Sequence, residues 1–138
     1  MKSKAPLALI EQVLMMLVFA VTAAVCLRVF AYAETLSATN EYKAFAVNEV
    51  RSAAELLKAG SGDYAAAGEA LKGSPADGGG FTLCYDAEKQ RVESGGVLTL
   101  TVSPLFSPVN GLGRARVSFA FGEEPLFETE VSWQEVME

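Results

Sequence analysis

Glu11 is the one carboxylate in the apolar run LALIEQVLMMLVFAV, residues 7–21. From Leu7 to Val25 the only other polar side chains are Gln12 and Thr22. An acid at the centre of a bilayer costs about 2.5–3.5 kcal/mol on insertion scales, and less near an interface. A carboxylate in that setting either reaches water at the membrane surface or pairs with a cation carried by another helix. Catalytic chemistry finds little support elsewhere. There is no His, and Cys26 and Cys84 are the only cysteines, so the commonest zinc constellations are missing. No Gly-x-Ser-x-Gly and no phosphate-cradling loop occurs, and Gly78-Gly79-Gly80 reads as a flexible loop. Asp77, Asp86 and Glu88 lack the spacing of a calcium loop, and Glu123-Glu124 before Pro125 reads as a solvated turn. The chain is therefore expected to act without catalysis, with no cofactor and no metal.

Glu11 must be positioned by a helix. Leu7 to Leu27 matches the ~20 residues that cross a hydrocarbon core at ~1.5 Å per residue. Lys2 and Lys4 form a basic leader over residues 1–6, and Arg28 closes the far end, where its head can snorkel. Positive charge on the N-terminal flank favours a cytoplasmic N-terminus, with the remainder outside the membrane. The span runs over 7–33. No Gly or Pro interrupts the chain from Leu7 to Ala59, and Tyr42, Phe45, Ala46, Val50, Ala53 and Leu57 recur at three- and four-residue steps. Residues 34–59 thus continue as the amphipathic half of one helix, about 50 residues and roughly 75 Å long at the standard rise. Ser37 to Asn40 is its weakest part.

Gly60-Ser61-Gly62 stops the helix. Residues 60–80 form a connector in which Asp63 to Leu71 is a short helix capped by Asp63, and 73–80 is a loop. From 81 to 138 the pattern turns to a period of two. Phe81, Leu83 and Tyr85 share one side of a first strand, Leu98, Leu100 and Val102 of a second, Val117, Phe119 and Phe121 of a third, and Phe127, Thr129, Val131 and Trp133 of a fourth. The fold class is α+β: a long N-terminal helix whose second half packs on a four-stranded antiparallel sheet.

A basic leader, a hydrophobic helix with an early Glu, an amphipathic continuation and a sheet resemble a type IV pilin or a type II secretion pseudopilin. Leu9-Ile10-Glu11 matches the end of that family's leader motif, with Lys2 and Lys4 as the leader charges. The resemblance is carried by about 25 residues and elsewhere only by architecture. It places the family's peptidase cut between Pro6 and Leu7, followed by N-methylation of Leu7. The family carries Gly before the cut and this chain carries Pro6, which fixes φ and lacks an N–H for a protease that reads extended backbone. The resemblance implies that Glu11 meets the free amine of a neighbouring subunit's first residue. An uncut chain offers no such amine of its own, but its Glu11 can meet that of a processed partner, as in a minor subunit. The implied partners are other pilin or pseudopilin subunits, the inner-membrane assembly machinery and membrane lipid.

Two rival readings remain. Ala31-Tyr32-Ala33 before Glu34 fits a signal-peptidase rule, and cutting there releases a secreted β domain. An uncut single-pass anchor carrying an extracytoplasmic binding domain is the other. The net charge is −6, and every acid except Glu11 lies at or beyond Glu34, so nucleic acid is not an expected partner.

Overall fold

The computed structural model describes residues 4–135, so Lys2 lies outside the described residues. The chain divides into two compact units, 1–40 and 41–138, and helix α1 (Ala5–Ala59, 55 residues) contributes to both. Pro6 stands in its first turn, where the missing N–H leaves no helical bond unmade. The Ala8 N–H donates to the Lys4 carbonyl at 3.2 Å and opens the ladder. Ser37 to Asn40 stays helical. Just before and within it, the hydroxyls of Thr35 and Thr39 donate back to the carbonyls of Ala31 and Thr35, each at 3.0 Å. The division between the units falls after Asn40, at the end of this stretch.

In the first unit every described residue through Ser37 is exposed. Phe19 is 77% exposed and Leu7 71%. By length and composition α1 can cross a membrane, although a signal sequence near the N-terminus meets the same criterion. The Thr22 hydroxyl donates to the Val18 carbonyl at 2.8 Å, so this polar group is satisfied inside the helix and suits an apolar surround.

The second unit holds the core. Helix α1 ends where the Gly62 N–H reaches the Leu57 carbonyl (2.9 Å) and the Ser61 N–H reaches the Lys58 carbonyl (3.2 Å), with Ser61 at φ 50°. This is a left-handed cap that satisfies two orphan carbonyls. Helix α2 (Tyr64–Ala70) follows, with Asp63 at its N-cap accepting from the Ala66 N–H at 3.0 Å, as the sequence indicates.

The expectation of four strands is corrected to six: β1 (Ser74–Pro75), β2 (Phe81–Tyr85), β3 (Arg91–Val92), β4 (Leu98–Leu105), β5 (Leu112–Phe121) and β6 (Glu124–Gln134). The two additions are two residues long each, too short for alternation to reveal, and β1 falls in the stretch expected to be loop. The sheet is antiparallel in the order β1-β2-β4-β5-β6, and β3 also pairs with β2. Since β4 lies along all of β2, the short β1 and β3 share the other edge of β2, one at each end.

Leu98, Leu100 and Val102 of β4, Ala115, Val117 and Phe119 of β5, and the β2 residues Phe81, Leu83 and Tyr85 are all buried. They enclose Ala46, Val50, Ala53 and Leu57 of α1 in one cluster. That spacing repeats every three to four residues, so the buried stripe runs along one side of the helix. Phe45 meets the rings of Tyr85 and Phe119 edge-on, with centroids 5.3 and 5.8 Å apart. Phe127 departs from its expected core position. A bulge opposite Phe119 and Ala120 inserts Leu126 into β6, and Leu126 packs on the core while Phe127 stays 36% exposed. Trp133 lies against Gly62 and Gly113, where an added Cβ would come within 2.5 and 2.3 Å of the indole. Its ring is buried, with Nε1 unpartnered among the described residues.

Candidate functional site

The groups singled out by the sequence lie on the first turns of α1. Lys4 precedes the helix, and Pro6 and Leu7 lie inside its first turn. The Pro6–Leu7 bond is therefore helical in this structure. A protease reading extended backbone would have to unwind that turn.

Glu11 follows about one turn after Leu7 and is exposed, with Leu7 and Met15 one helical step before and after it on the same side. Leu7 is 71% and Met15 67% exposed. Among the described residues Glu11 takes part in no ion pair. Its carboxylate is flanked by apolar side chains and open to a cation from outside the chain. In an apolar surround such a pair would be strong and would fix the register of two helices, because an unpaired charge there is costly.

Beyond the helix, the structure gathers polar groups that the sequence does not bring together. The Tyr85 hydroxyl donates to Glu49 Oε2 at 2.5 Å, and Arg91 lies 3.8 Å from the same carboxylate. Arg91 also donates to the Leu71 carbonyl at the end of α2. Burial, then the Glu49 carboxylate, push the Tyr85 hydroxyl well above its ordinary value, against a smaller opposing pull from Arg91. Four separate elements are thereby tied: α1, the end of α2, β2 and β3. Lys89 pairs with Glu41, and the Tyr42 hydroxyl donates to the Ala87 carbonyl at 3.3 Å, joining α1 to the β2–β3 turn. Asp86 belongs to that turn, accepting from the Gln90 N–H at 2.7 Å. Among the described residues no group of three or more acid, His or Cys side chains converges as metal ligands would. Cys26 is exposed, Cys84 half-buried, and both are free thiols.

No family model matches this chain, and neither does any curated protein or solved structure.

The outer face of the sheet bears a ladder of charge. Arg114 reaches Glu130 at 2.6 Å, and Arg116 reaches Glu130 at 3.2 Å and Glu128 at 3.3 Å. Hydrogen bonds from Arg114 and Arg116 hold the exposed Glu130 carboxyl below its ordinary range. The sequence hints at this ladder only through alternation, since Arg114, Arg116, Glu128 and Glu130 fall on the side away from the core. What alternation lacks is the strand order that sets them opposite one another.

Proposed function

We propose that this chain is a membrane-anchored, pilin-like subunit that acts by assembly. Its first helical turns sit in the bilayer, the N-terminus faces the cytoplasm and the sheet domain lies outside. Glu11 pairs with the amine of a neighbouring subunit in a type IV pilus or type II secretion-type filament, and helix packing through residues 7–33 builds the fibre. The observation that carries the reading is the exposure of every described residue up to Ser37, on the same helix whose turns from Ala46 to Leu57 form the core of the sheet domain. A helix that buries one stripe and leaves its remaining length apolar and bare is suited to lipid and to other helices.

The test is Glu11→Ala in cells that hold the assembly machinery. Wild type should sediment with sheared surface filaments or with a large membrane complex. The variant should stay as dispersed subunits in the membrane with its sheet domain folded. Assembly that survives Glu11→Ala unchanged would end the pairing account.

One observation favours a second reading, that of a secreted β domain released by cleavage after Ala33. Among the described residues every buried one lies at Ala46 or later, so such a cut leaves the core of the sheet domain in one piece. The mature N-terminus separates the two.

A further inference from the structure

The two edges of the sheet are treated differently. The outer edge of β2 is occupied at both ends by β1 and β3. The 11-residue β6 has β5 on one side and no strand on the other among the described residues. The Glu135 N–H donates to the Gly111 carbonyl at 2.9 Å. Antiparallel pairs alternate between bonded and unbonded, so from Phe127 onward, past the bulge, the odd-numbered residues of β6 bond to β5. The main-chain groups of Glu128, Glu130, Ser132 and Gln134 therefore point out from the free edge. Beside that edge runs a groove between β6 and α1, lined by the apolar Val47, Val50, Ala54, Phe127 and Val131 and also by the cations Arg51 and Lys58, so a strand lying there must keep its own charges on the outer face. A row of free main-chain donors and acceptors next to a partly apolar trough is an arrangement that accepts an added strand.

We infer that the free edge of β6 is a strand-addition site for an extended segment of a partner protein, with Lys or Arg at alternate positions and small or apolar residues between them. The chemistry of the occupant is read from the strand that already fills the other side. There β5 sets Arg116 opposite Glu130, with Arg114 and Arg116 reaching Glu130 and Glu128, while Ala115 and Val117 face inward. A strand on the free edge meets the same glutamates on the same outer face, and its intervening residues face the trough. A second copy of β6 is the poorer occupant. Aligning the centres of two such strands antiparallel sets Glu128 of each copy opposite Glu130 of the other, and like charges directly opposite one another destabilise. The carboxylates thus bar self-pairing and select a basic strand. This inference does not rest on the filament reading. It concerns single chains, whereas that reading stands or falls on Glu11 and the mature N-terminus.

The probe is an eight-residue peptide copying Gly113–Ala120, with a control in which both arginines are glutamates, titrated onto the full chain in detergent micelles. The peptide should bind, and the control should bind at least about tenfold more weakly. On binding, the amides of Glu128, Glu130 and Ser132 should become protected from hydrogen exchange, while those of Thr129 and Val131, already bonded to β5, stay as they were. Ser132→Pro removes an outward N–H and no bond to β5, so it should weaken binding at least about tenfold with the fold intact. Glu128→Lys, which leaves every main-chain group in place, should weaken it as well. Absence of binding, protection without the alternate-residue pattern, equal binding by Ser132→Pro, or dimers of the chain joined through β6 would each overturn the inference.

Discussion

Phe19 and Phe119 are the same side chain in two settings. Phe119 is 0% exposed between Phe45 and Tyr85, and Phe19 is 77% exposed on the first part of α1. The same contrast divides α1. Its turns from Ala46 to Leu57 spend their apolar stripe on the sheet, and its turns from Leu7 to Phe30 spend none of theirs. In water an apolar side chain of this size left bare forgoes about 1.5–3 kcal/mol, so a segment with so many of them needs another medium or another chain. One helix thus serves two roles. Its later part is an ordinary amphipathic core element, and the earlier part is finished only by what surrounds it.

The comparison breaks most sharply on paired deletions. Phe119→Ala should destabilise the sheet domain by about 3–5 kcal/mol, read by denaturant unfolding in micelles with the tryptophan signal. Phe19→Ala should leave that unfolding curve within about 0.5 kcal/mol of wild type. A matching loss from both would mean that the sheet domain draws stability from the bare stretch.

Next in size is Gly62→Ala. The backbone there has φ 86° and the new Cβ would fall 2.5 Å from the Trp133 indole. About 1–3 kcal/mol should be lost, with a shift in the fluorescence of the only tryptophan. Asp63→Ala removes the α2 cap and should cost about 1 kcal/mol. Smallest at neutral pH is the effect of Tyr85 titration. Its folded pKa is raised above the ordinary 10.0, so its contribution is full below pH ~10. Above that the unfolded chain ionises first and stability falls. Tyr85→Phe should flatten this alkaline decline in a stability-against-pH series, leaving the smaller part set by Tyr64, whose pKa burial also raises.

Much of this fold is written in spacing. The buried face of α1 and the inward residues of β2 and β4 follow from periods of 3.6 and 2, because each element buries one face against the same core, and the cap at Asp63 follows from residue type. Two kinds of feature do not follow. Strands of two residues carry no period, so β1 and β3 are set by pairing with β2 alone. Contacts among distant elements, such as Glu49 with Tyr85 and Arg91 or Trp133 with Gly62, exist only once the sheet order is fixed. Phe127 was legible as an inward residue of its strand, but the bulge that brings Leu126 to the core left no mark in the alternation. Glu11 is the opposite case. Its type and setting suit a pairing group, and no described residue pairs with it; on this account the partner belongs to another subunit.

The account rests most directly on whether the bare stretch of α1 stays joined to the sheet domain in the mature protein. Intact-mass measurement of the protein recovered from its native cells decides this. The account predicts a membrane-bound chain that begins at Met1 or Leu7 and so retains Glu11 and the whole span. A soluble chain beginning at Glu34 would contradict it.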